Sequence, residues 1–139
     1  MENVKIILVD DNSVFRDAIK KFITKKEHLT VVAEASNGKE FLELIRSINT
    51  NVVLMDVRMP IMNGIITTKK ALLYNPKLRI IGLSAFSDTE VLETMAEAGA
   101  CGFLPKETVC DNLELAIKNV LSGSKHFSRQ ITEMVNIKL

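Results

Sequence analysis

The sequence predicts an α/β fold, a doubly wound five-stranded parallel sheet with helices on both faces, and three observations carry that prediction. Short apolar runs rich in Val and Ile recur along the chain, segments of helical period separate them, and each run ends in polar residues able to share one edge of a sheet. At 139 residues the chain has the size of one ordinary domain.

The first run, "KIILV", shows no polar alternation from Ile6 to Val9, as expected of a strand buried on both faces. Phe15, Ala18, Ile19, Phe22 and Ile23 then fall at i, i+3, i+4, i+7 and i+8, one face of a helix. The second run, "TVVAEA", leads through the turn Asn37-Gly38 into a helix marked by Phe41, Leu44, Ile45 and Ile48. The third, "NVVLMD", is followed by the loop "RMPIMNG" and a helix ending near Asn75-Pro76. After the fourth, "RIIGLSA", Ser87 or Asp88 is positioned to cap a helix whose first turn holds Glu90. The fifth, "GFL", precedes a helix with Val109, Leu113, Ala116, Ile117 and Val120 on its inner face. Right-handed crossovers between these strands give a flavodoxin-like sandwich of strand order 2-1-3-4-5. The domain is expected over residues 1–122. The polar stretch "SGSKHFS" then breaks the pattern, and 123–139 reads as the start of a linker or as a short C-terminal helix carrying Ile131, Met134 and Val135.

A composition of 47% hydrophobic and 25% charged residues excludes a disordered or fibrous chain, and a net charge of +1 gives no field of its own for nucleic acid. Cys101 and Cys110, with eight residues between them and no Cys or His cluster nearby, lack metal-ligand spacing and read as buried reduced thiols. His28 and His126 are likewise isolated. No run approaches the 18 or so apolar residues of a membrane span, so neither a signal peptide nor a membrane association is expected, and the address is cytoplasmic.

In an open parallel sheet, groups at the carboxyl ends of the strands share one crevice. Asp10 and Asp11 close the first strand, Asp56 the third and Ser84 the fourth, while Lys106 follows the fifth. A lone Asp, Ser or Lys at such a place is usually a cap, a turn residue or a solvated charge. Here all five residues fall on one edge. Acids so crowded call for raised pKa values or a divalent cation, and a hard, oxygen-rich site with few protein ligands suits Mg²⁺. A carboxylate such as Asp56 can attack phosphorus, with the metal, Lys106 and Ser84 neutralising or hydrogen-bonding the phosphoryl oxygens.

"VDDN", "MDVRMPIMNG", "LSA" and "GFLPK" are similar, in order and spacing, to the motifs of the receiver domain of two-component response regulators, a CheY-like fold, over about Val4 to Leu121. The resemblance implies that Asp56 accepts a phosphoryl group from a sensor histidine kinase. It implies Mg²⁺ held by Asp11, Asp56 and the backbone carbonyl of Arg58, with Asp10 acting through water. Lys106 would contact the phosphoryl group, Ser84 would move to hydrogen-bond it, and Phe103 would be the aromatic switch that turns inward behind Ser84. Permanent core packing is the other reading of Phe103. The chain departs from the common pattern at Pro105, which precedes Lys106, so the Lys106–Glu107 bond should be trans. Arg58 and Phe86, each two residues beyond a site residue, flank the acceptor and bear on the approach of water.

The stretch from "VLSGSKHFS" onward looks like the LuxR or NarL type, in which a linker leads to a DNA-binding domain. DNA would then be reached only through an output domain outside this sequence, with a homodimer forming on phosphorylation. A complete single-domain regulator acting by protein binding is the alternative. An Mg²⁺-dependent phosphatase with an Asp nucleophile fits less well, since its D-x-D pair belongs after the first strand where this chain has "DDNS". A flavodoxin would need a phosphate-binding loop where two acids stand.

Overall fold

A computed structural model of the chain describes residues 3–85 and 90–127. Its elements alternate as strand β1 (Val4–Val9), helix α1 (Ser13–Thr24), β2 (Leu29–Ala35), α2 (Gly38–Leu44), β3 (Val52–Asp56), α3 (Gly64–Tyr74), β4 (Arg79–Ser84), α4 (Glu90–Ala98), β5 (Gly102–Pro105), a 3-10 turn (Lys106–Thr108), α5 (Val109–Leu121) and β6 (His126–Phe127). The sheet order is β2-β1-β3-β4-β5-β6, and every pair is parallel. The expected order 2-1-3-4-5 is therefore present, extended by a sixth strand from residues read in the sequence as the opening of a linker. Two residues without an alternating or apolar run leave no strand signal of their own; the partner strand supplies the order.

Two layers of core enclose the sheet. Ile7, Val9, Val53, Met55, Ile80 and Phe103 face α2, α3 and α4, meeting Phe41, Ala71, Leu92 and Met95. Ile6, Leu8, Val52, Leu54, Ile81, Leu83 and Leu104 face α1 and α5, meeting Ile19, Ile23, Leu113, Ala116, Ile117 and Val120. Successive strand side chains alternate between the layers, so continuous apolar runs are what a doubly covered sheet requires.

Side-chain caps start three helices: Asn12, Asn37 and Asn63 accept from the amides of Phe15, Glu40 and Ile66. Helix α2 stops at Leu44, short of its apolar pattern, yet tight turns still bring half-buried Ile45 and Ile48 onto the core. Ala18, expected on the inner face of α1, is exposed at the margin of the apolar stripe. Cys101 is half-buried and Cys110 exposed, so the expectation of two buried thiols fails for Cys110, which lies on the outer side of α5. The capping residues expected for α4, Ser87 and Asp88, lie outside the described residues, as do Phe86 and the apolar positions Ile131, Met134 and Val135. No cis peptide occurs among the described residues, including Lys106–Glu107.

Candidate functional site: an acidic cluster at the sheet edge

The chain runs from β1 outward to β2 and then crosses back past β1 to β3, so the strand order reverses between β1 and β3, where doubly wound sheets bind their ligands. Asp10 and Asp11 leave the end of β1 and Asp56 ends β3, so the three acids flank this point. One carboxylate oxygen from each lies within 4.8 Å of the others. Their environments differ sharply. Asp10 is 2% exposed and Asp56 3%, whereas Asp11 is open to solvent.

Lys106 reaches the cluster from the 3-10 turn after β5. Its Nζ lies 2.8 Å from Asp10 Oδ2 and 3.2 Å from Asp56 Oδ1, and it stands 4.7 Å above the centre of the Phe15 ring. The aromatic face adds attraction for the ammonium and screens it from water. Asp10 is further fixed by the Asn12 amide, which donates to Oδ1 at 2.9 Å, and its backbone carbonyl accepts from Arg16 Nη1. Arg16 in turn pairs with Glu34 at 3.3 Å, and Lys20 reaches the same carboxylate at 3.0 Å. Phe15 and Arg16 were legible in the sequence only as helix positions. That they support the acids and the lysine follows from α1 packing across the end of β1.

Burial is the main cause that raises the Asp56 carboxyl to about 7; the charge of Asp10 adds to it, and Lys106 opposes it. Burial by itself would disfavour a charged Lys106, but its hydrogen bond to Asp10 and the charges of Asp56 and Asp10 outweigh this and raise its pKa. One positive charge therefore serves two buried acids while a third acid stands beside them. Asp10 Oδ2 is buried and meets the Lys106 ammonium at 2.8 Å. An all-oxygen donor set of three acids with surplus negative charge fits a hard divalent cation.

The neighbouring loop is shaped to stay close. A side chain on Gly64 would place its Cβ 2.2 Å from the Asp56 carbonyl oxygen, so only glycine lets α3 start against the end of β3. The Gly64 amide donates to the Val57 carbonyl at 2.8 Å, closing the loop that carries exposed Arg58. Within it, Met62 N donates to Pro60 O at 2.7 Å around Ile61, whose φ is 70°. This is a tight and strained turn for a β-branched residue. Asp11, Val57, Arg58, Met59, Pro60 and Asn63, with Val91 of α4, line a cleft of about 410 Å³ beside the acids.

Ser84 is 4% exposed at the end of β4, and the register sets Leu83 opposite Asp56, so Ser84 stands one residue further along the neighbouring strand. Phe103, 2% exposed, lies in the core layer under α4. The structure thus joins Asp10, Asp11, Asp56 and Lys106 directly and brings Ser84 and Arg58 to the same edge. Phe103 occupies an inward position.

A doubly wound parallel sheet with a cation-ready acidic cluster and a lysine at its switch point defines the class of domain. The chain belongs to the response regulator receiver domain family, whose sequence pattern matches residues 6–118. It is 33% identical over 134 residues to the transcriptional regulatory protein LnrK of Bacillus subtilis (strain 168), covering 96% of this chain and 61% of that protein. It is 32% identical over 138 residues to the nitrate/nitrite response regulator protein NarL of Escherichia coli (strain K12), covering 99% of this chain and 64% of that one. Among solved structures, a LuxR-family two-component response regulator from Aurantimonas sp. SI85-9A1 superimposes with a TM-score of 0.89 at 27% identity, covering 99% of this chain and 98% of that chain. The chain spans a little under two-thirds of the length of these curated relatives. Among the described residues no helix is long and apolar enough to cross a membrane.

Proposed function

We propose that Asp56 accepts a phosphoryl group from the phosphohistidine of a sensor histidine kinase and that the domain is the regulatory switch of a transcriptional regulator. The observation that carries this is a buried carboxylate placed beside two other acids and a lysine at the ligand-binding edge of the sheet. An Asp56 carboxylate oxygen attacks phosphorus, the P–N bond of the phosphohistidine breaks, and the leaving imidazole takes a proton from solvent. Asp11, Asp56 and the Arg58 carbonyl would hold Mg²⁺, with Asp10 acting through water; bound there, the ion supplies positive charge to the acids and to phosphoryl oxygens. Because Asp56 is protonated up to about pH 7, cation binding is linked to proton release.

Lys106 neutralises a phosphoryl oxygen, and the Ser84 hydroxyl donates to another. Drawing these two residues towards Asp56 favours an inward Phe103 and changes the surface of α4, β5 and α5, which presents a partner or homodimer contact. DNA is engaged through an output domain, a reading supported by the transcriptional role named for LnrK. The location is cytoplasmic, where the kinase's catalytic part resides.

Incubation with Mg²⁺ and acetyl phosphate tests the chemistry by intact mass. One base-labile phosphoryl adduct is expected, absent after Asp56→Asn and absent with chelator. Full labelling of the Asp56→Asn variant would place the acceptor elsewhere.

A further inference from the structure

We propose that strand β6 is a clasp on the edge of β5 that holds Phe103 inward, so that phosphorylation of Asp56 and docking of the chain at His126–Phe127 reinforce each other. The inference rests on the phosphoacceptor reading above and adds a coupling between that site and the sheet edge at His126–Phe127.

The docking is specific. The His126 amide donates to the Cys101 carbonyl at 2.8 Å, and the register pairs Gly102 with His126 and Phe103 with Phe127. Residues paired across neighbouring strands share a face of the sheet. Phe127 accordingly packs half-buried against the core layer that contains Phe103, Leu92 and Met95. His126 lies on the opposite face, with Nδ1 accepting from Asn119 Nδ2 of α5 at 2.9 Å. The strand is thus held from both sides. A Cβ on Gly102 would sit 2.9 Å from the His126 carbonyl oxygen, a backbone atom, so the approach of β6 depends on the missing side chain.

The same packing restricts Phe103. Its ring reaches over Gly82, where an added Cβ would lie 2.9 Å from Cδ2 and 3.0 Å from the Met95 methyl. To turn outward, the ring must leave this layer past the β5 edge, on the face where Phe127 sits. Docked β6 is compatible with inward Phe103 and blocks the outward route. A strand of two half-buried residues opens far more readily than the core, so its population is free to respond. If phosphorylation favours inward Phe103, it tightens β6, and by thermodynamic reciprocity docked β6 tightens phosphoryl binding by the same factor.

The test uses the full chain with Mg²⁺ and beryllofluoride as the acyl-phosphate mimic. Amide exchange at His126 should slow at least about fivefold when the mimic saturates. Gly102→Ala should weaken beryllofluoride binding by that same factor and loosen the Phe103–Met95 contacts seen by NMR even without the mimic. Asn119→Ala, which releases His126 from the other face and leaves β5 intact, should act in the same direction. Unchanged His126 exchange at saturation overturns the clasp, as does undiminished beryllofluoride affinity in both variants. If beryllofluoride does not bind at all, the phosphoacceptor reading falls. The Phe103–Met95 contacts of the two variants then decide the clasp by themselves: their loss upholds it and their retention overturns it.

Discussion

Replacing Asp56 by Asn should make the metal-free domain more stable at pH 8. The unfolded carboxyl gives up its proton near 3.8 and the folded one at about 7, so folding takes up a proton between these values and stability falls as pH rises through the window. Above pH 7 the wild type carries the whole cost; below 3.8 both states are protonated and it carries none. At about 1.36 kcal/mol per tenfold in acidity, the displacement amounts to roughly 4 kcal/mol. Asparagine removes the charge, keeps the shape and still offers Oδ1 to Lys106, but as a neutral acceptor, so a net gain of about 2 to 4 kcal/mol is expected. With a urea slope of about 1.5 kcal/mol/M, the midpoint should rise by roughly 1 to 3 M. Urea titrations of both proteins in chelator at pH 8 and pH 4.5 measure this, and the difference should shrink at the lower pH. Mg²⁺ at pH 8 should stabilise the wild type and leave Asp56→Asn nearly unmoved. An Asn variant less stable than the wild type at pH 8 without metal would refute the account of a repelled, buried carboxylate.

Asp11→Asn should cost more Mg²⁺ affinity than Asp10→Asn, at least about tenfold by calorimetry, because a direct ligand is lost in one case and a water-mediated contact in the other. Equal losses would argue against these roles. Hydrogen bonding from Lys20 is the main cause that lowers the Glu34 carboxyl below 4.5, with Arg16 contributing, so this pairing stabilises the fold above pH 4.5 and fades as pH falls through the lowered value. Glu34→Gln should flatten that part of the acid limb in a series of melting curves and leave the limb above pH 6 unchanged in slope. Ile61→Gly relieves a β-branched residue at φ 70° on a side chain that is 77% exposed, and should raise stability by about 1 kcal/mol in denaturant titration. A loss of stability would mean the turn carries no strain.

The order of strands and helices was legible from the chain because a doubly covered parallel strand must be apolar on both faces and its covering helix on one. "NVVLMD" and the Val109 to Val120 stripe could belong to little else. The acids, Ser84 and Lys106 were legible for a related reason, since a residue after a parallel strand has only one edge of the sheet on which to lie. Tertiary structure decided the rest. Only the family resemblance told adjacent Asp10 and Asp11 apart in the sequence; in the fold neighbouring side chains point apart, so one is buried against Lys106 and the other faces solvent. The role of Phe15 as a platform for Lys106 joins residues at opposite ends of the chain, and no local pattern records it. Strand β6 is the extreme case: its two residues have no strand signature, and their order comes from β5, from Asn119 and from the space left by Gly102. Local periodicity encodes which face of an element is buried; which partner a polar or short segment meets depends on contacts that exist only after the sheet has closed.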